Sequence, residues 1–186
     1  MEMINTIHRR ILTAFFTLPD GEGWLFAAGV LGSYTVLALA IGFYWDFLQV
    51  DVQKSGRKIL RVMGSALVIP GLTEELTFRV ILLPHPTETV SDVTLWSWGI
   101  VGVLLFVLYH PLEGFTFAKA QQKTMVNPVF LGLAGLLGCA CTIAYWGTGS
   151  IWCPVAIHGV VVAVWRLFLG GDRELFGETL TADSQV

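Results

Sequence analysis

Hydrophobic positions in this chain gather into long runs, and the polar positions between them mark where each run ends. Trp24–Trp45 holds no charged residue over 22 positions, enough to cross a bilayer as one helix. Val93–Tyr109, Val129–Tyr145 and Ile151–Leu169 repeat the pattern. Another run, Ile59–Leu83, is interrupted by Pro70-Gly71, which predicts a kinked span. Pro84–Glu88 ends that run, and His110-Pro111 is expected to stop the next. Ahead of all five, residues 1–18 set His8, Arg9 and Arg10 against Ile4, Ile7, Ile11, Leu12, Phe15 and Phe16, as in an amphipathic interfacial helix. The expected fold is all-α: a polytopic transmembrane helix bundle of about five spans plus an N-terminal amphipathic helix. Its expected divisions are 1–22 (interfacial segment), 23–170 (bundle) and 171–186 (a polar, mobile tail).

Composition agrees with the runs. The chain is 54% hydrophobic and 13% charged, against about 25% charged in a soluble domain. Mean hydropathy is +0.68. A net charge of −3 gives no reason to expect a nucleic-acid partner; membrane lipid is the expected surrounding. Cys139, Cys141 and Cys153 sit in apolar runs without framework spacing and read as packing residues. No cleavable signal peptide is expected at the N-terminus.

The basic residues predict an orientation. Lys54, Arg57, Lys58 and Arg61 follow the first span, Lys119 and Lys123 the third, and Arg166 and Arg173 the fifth. The loops 84–92 and 147–150 have no Lys or Arg. The basic loops and the C-terminus are therefore expected to be cytoplasmic. Arg9 and Arg10 fall on the other side in this scheme, so either the N-terminal helix crosses the membrane or its arginines lie at the outer interface, the reading preferred here.

Glu74 and Glu75 are the costliest residues in this pattern. A carboxylate in hydrocarbon costs at least about 2.5–3.5 kcal/mol, so an adjacent pair in an apolar run is a functional hypothesis by default. Glu75 and Arg79 are four apart, as in a helical ion pair. Glu74, rotated by about 100°, is left free to bind a water or take its proton. His110 and His158 lie on two other spans, and with a carboxylate they can position a water or bind a metal such as zinc. Tyr109 and Thr77 offer hydroxyls of unknown direction. Arg166, at the end of its run, is expected to snorkel to the interface. The Gly132/Gly135/Gly138 spacing suits close helix packing.

At these residues the chain resembles a known family. Glu74-Glu75-Leu76-Thr77-Phe78-Arg79 is similar to a Glu-Glu-x-x-x-Arg motif, and Phe106-Val107-Leu108-Tyr109-His110 to Phe-x-x-x-His. The Gly149-Ser150-Ile151-Trp152 turn leading to His158 resembles the third motif. In order and spacing these resemble the CPBP intramembrane proteases, which include CAAX endopeptidases and bacteriocin self-immunity proteins. The resemblance covers about residues 59–169, with a fainter likeness to cyanobacterial members in the later segment.

The resemblance implies an endopeptidase acting on a membrane-associated peptide or protein. Glu74 would activate the hydrolytic water, supported by Glu75 and Arg79, while His110 and His158 would orient the water and stabilise the intermediate. It implies no cofactor; the metal alternative would use Glu74, His110 and His158. One position departs from the family: Val162 stands where a polar residue, commonly Asn, follows the last histidine by four. Loss of an oxyanion donor costs about 10²–10³ in rate. The alternatives are therefore a catalytically weak or inactive scaffold or immunity protein, and, less well matched to the motif order, a small proton-coupled transporter.

Overall fold

The computed structural model describes residues 1–177. Among them the regular elements are helices, in an all-α bundle. Helix α1 (Glu2–Phe16) is amphipathic and is followed by α2 (Gly21–Tyr44), whose start is capped by the Asp20 carboxylate accepting from the Gly23 N–H at 2.8 Å. Helix α3 (Gly56–Ala66) leads into a break over Leu67–Leu72 and then α4 (Thr73–Glu75), which runs on through a wide π-type turn, Leu76–Ile81. Helix α5 is Asp92–Thr116, α6 is Gln122–Met125, α7 is Pro128–Thr148, α8 is Trp152–Phe168 and α9 is Gly171–Phe176.

Three of these helices, α2, α5 and α7, are long and apolar enough to cross a membrane. Helix α8 is apolar but has 17 residues. The remaining expected span is not one helix. Ile69 leaves helical geometry at φ −130°, ψ 111°, immediately before Pro70, which brings no N–H to the ladder. The kink expected there is thus a complete break, and it lies directly ahead of the glutamates.

Helix α7 forms the centre, with α2, α5 and α8 packed around it. Its partners meet in a core that includes Leu133, Leu137, Cys141, Ala144, Cys153 and Ile157. Glycine permits two of the close approaches. A side chain on Gly138 would come within 3.1 Å of Phe106, and one on Gly159 within 2.6 Å of Leu67. The expected close packing along α7 holds at Gly138 and Gly135, whereas Gly132 has open space beside it.

Two boundaries differ from expectation. Helix α5 does not stop at His110-Pro111 but continues to Thr116. Proline there removes one backbone bond, and the apolar length on either side, packed on α7, outweighs that loss. The tail, expected to be mobile, forms α9 at Gly171–Phe176. Asp172 takes both Arg166 at 2.7 Å and Lys58 at 3.0 Å, fixing α9 to α8 and α3. Arg166 is accordingly half-buried in an ion pair with Asp172. The rest of the expected tail, 178–186, lies outside the described residues.

Helix α1 is held at the end of the bundle where α7 turns into α8. The Ile151 N–H donates to the Ala14 carbonyl, and Trp152 Nε1 to the Phe15 carbonyl at 3.0 Å. Arg10 grips Glu88 with two bonds of 2.6 and 2.8 Å and donates to the Ile81 carbonyl. Those charge-assisted bonds hold the Glu88 carboxyl below the usual carboxylate range. His85 is buried beside this pair and bonds the Gly149 carbonyl through Nε2 at 2.9 Å. Gly149 closes α7 in the left-handed region, φ 65°.

Candidate active site

The break before Thr73 turns the glutamate pair toward α8. Glu75 is fully buried and sits 3.1 Å from the Arg79 guanidinium, the ion pair that the four-residue spacing predicts. Its other oxygen accepts His158 Nδ1–H at 2.7 Å. Arg79, also buried, donates to the Gly138 carbonyl at 3.1 Å and stacks its guanidinium over Phe106, 4.7 Å from the ring centre. Thr142 donates to the same carbonyl at 2.8 Å. Four elements are thereby tied through two adjacent turns of one helix.

Glu74 faces another way, as expected, yet reaches the same histidine. Its Oε2 lies 3.9 Å from His158 Nε2, beyond hydrogen-bond distance, and this buried oxygen has no protein partner. Because Nδ1 gives its hydrogen to Glu75, the neutral ring of His158 presents a lone pair at Nε2. His110 is arranged the same way: Nδ1–H donates to the Phe106 carbonyl at 2.9 Å, leaving Nε2 for other work. Phe106 stands edge-on to both rings, with centroids 4.9 Å from His110 and 5.9 Å from His158.

Glu74, His110 and His158 line one cavity of about 270 Å³. The rest of its wall is mostly apolar and aromatic, from α2, α7 and α8, with Phe47, Phe130 and Trp165 in mutual ring contact. Val162 is also in the wall, so the position one turn after His158 presents methyl groups to the cavity. Tyr109 is not part of this wall; it packs on Phe78 at 5.5 Å. Thr77 is exposed and donates to the Thr73 carbonyl. Neither hydroxyl reaches the glutamates.

Sequence reasoning missed two residues. Cys141, read only as packing, is fully buried beside Glu75 and donates its thiol to the Pro154 carbonyl. Glu113, one turn after His110, lines the cavity. The spacing His110-x-x-Glu113 was the available signal for the second; nothing in an apolar helix singles out the first.

Among the described residues, Glu75, Cys141 and His158 bring potential metal-ligand atoms within 4.8 Å of one another. This trio is not the expected one of Glu74, His110 and His158, and it does not suit a cation. One Glu75 oxygen already faces the Arg79 guanidinium, and the other takes the hydrogen on His158 Nδ1. A metal there would compete with a buried positive charge and would have to displace a proton.

The sequence around this site matches a known family. Residues 56–164, more than half of the chain, match the family model described as Type II CAAX prenyl endopeptidase Rce1-like. The chain belongs to the Rce1-like family. No curated protein and no solved structure matches it. The Rce1-like region runs from the start of α3 into α8 and so holds both glutamates, Arg79 and both histidines. With its long apolar helices, the protein is an integral membrane member of a family of proteases.

Proposed function

We propose that the chain is an intramembrane endopeptidase that hydrolyses a peptide bond of a membrane-associated substrate with water activated by Glu74. The observation that carries this reading is the unpartnered Glu74 oxygen 3.9 Å from the Nε2 lone pair of His158. Two acceptors at that separation suit one water donating to both, through bonds of about 2.8 Å. Glu74 takes a proton as the water oxygen bonds to the scissile carbonyl carbon. The carbon–nitrogen bond then breaks, and the proton passes to the departing amine. His110, with Nδ1–H committed to the Phe106 carbonyl, contributes the Nε2 lone pair, which helps to orient the attacking water.

Glu75 and Arg79 serve by orientation. They fix the ring plane and tautomer of His158 without entering the chemistry. The mechanism needs no cofactor, since the Glu74 carboxylate supplies the base. The apolar wall suits lipid-like or hydrophobic side chains, and a water-restricted site strengthens each polar contact within it. For orientation, Arg10 lies against the loop that lacks Lys and Arg, which supports an outer interface for α1 and a cytoplasmic C-terminus.

Val162 favours a second reading, a catalytically weak or inactive scaffold or immunity protein, because the cavity wall gains no polar group there. His110→Ala separates the two. The variant should accumulate in membranes and lose cleavage of a membrane peptide by about 10²-fold or more. Cleavage at the wild-type rate in that variant would overturn the proteolytic reading.

A further inference from the structure

The cavity wall carries a second carboxylate that the hydrolytic reading does not use. Glu113 is on α5, three residues after His110 and on the same face. It is half-buried in a wall otherwise dominated by apolar side chains. Among the described residues it has no ion pair and no side-chain hydrogen bond. The cation that shares the wall, Arg166, is already committed to Asp172 at 2.7 Å. Glu74 is also in the wall, so the cavity holds two carboxylates, while the arginine in its wall shares Asp172 with Lys58. A carboxylate kept beside an apolar cavity without a partner is unfavourable unless an occupant supplies one.

We propose that Glu113 is a specificity-determining residue that selects substrates with a basic side chain close to the scissile bond. The proposal rests on the proteolytic reading of the cavity and adds the charge of the substrate to it. Three residues of helix rise about 4.5 Å, and an extended peptide advances about 3.3 Å per residue. Glu113 therefore lies within one or two substrate residues of the bond that His110 serves. A lysine or arginine there has its charged head at the carboxylate and its aliphatic stem along the apolar wall. An acidic residue at the same place meets Glu113 and Glu74 together and is rejected.

The test uses dye-labelled lipopeptides that differ only in Lys, Gln or Glu within two residues of the candidate bond. Binding is read by fluorescence anisotropy in nanodiscs, with empty nanodiscs subtracted, and the full chain carries Glu74→Gln so that turnover does not intervene. The Lys peptide should bind about tenfold more tightly than the Gln peptide. Glu113→Gln should erase that preference, Glu113→Asp should keep it, and Glu113→Lys should reverse it toward the Glu peptide. An unchanged Lys preference in Glu113→Gln, the lack of one in the parent, or binding of none of the peptides would overturn the proposal. Cleavage by the chain with Glu74 intact is scored separately. Charge-selective binding without any cleavage would reject the protease and leave Glu113 as a cation-selecting group.

Discussion

His158 donates its Nδ1–H to Glu75, not to Glu74, at 2.7 Å. The glutamate that neutralises Arg79 therefore also sets the histidine's tautomer, and Glu74 faces the lone pair that results. The two adjacent carboxylates divide the work between them. One is engaged by Arg79 and His158, and the other is left open toward the cavity.

Removing the charge of Glu75 should damage fold and site together. Glu75→Gln leaves Arg79 buried and uncompensated, which costs about 3–5 kcal/mol. It also offers His158 an amide that can take up either orientation. The variant should melt at a markedly lower temperature in detergent and lose cleavage. Wild-type melting for Glu75→Gln would contradict the role given to the pair.

Position 162 should limit the rate. Val162 lines the cavity one turn after His158, where a polar side chain would reach the same space. Val162→Asn should raise kcat by about 10- to 100-fold with little change in KM, because an oxyanion donor acts in the transition state. A kcat that stays at the wild-type value would mean that another donor already fills this role.

The Arg10–Glu88 tie should respond to acid in a defined direction. Arg10 holds the folded Glu88 carboxyl below its ordinary value of 4.5. A depressed carboxylate contributes stability that is complete above the unfolded value and is lost as pH falls through the folded one. The stability difference between wild type and Glu88→Gln should thus be flat from neutrality down to about 4.5 and shrink below it. Parallel loss of stability in the two proteins across that range would exclude this pair as the acid-sensitive tie.

Much of this was legible in the chain because a bilayer narrows the choices. Long apolar runs leave helices as the economical solution for the backbone, and buried charge stands out against them. The Glu75–Arg79 pair followed from helical spacing alone. What spacing does not carry is the path of the chain at a break. Pro70 announced an interruption, but Ile69 swinging out of helical geometry is what directs Glu74 to His158. Pro111 misled in the opposite sense, since packing on α7 carries α5 through it and makes Glu113 a wall residue. The ion pair of Arg166 was out of reach for a related reason: its partner, Asp172, comes from a segment whose own composition gives no sign of order.

The central claim is that Glu74 is the base. The most direct measurement is cleavage of a membrane peptide by purified protein in liposomes, comparing wild type with Glu74→Gln. That substitution keeps shape and hydrogen bonding while removing the proton acceptor. Wild type should cleave and Glu74→Gln should fall by about 10²–10⁴-fold with its melting temperature kept. Cleavage by Glu74→Gln at the wild-type rate would contradict the account.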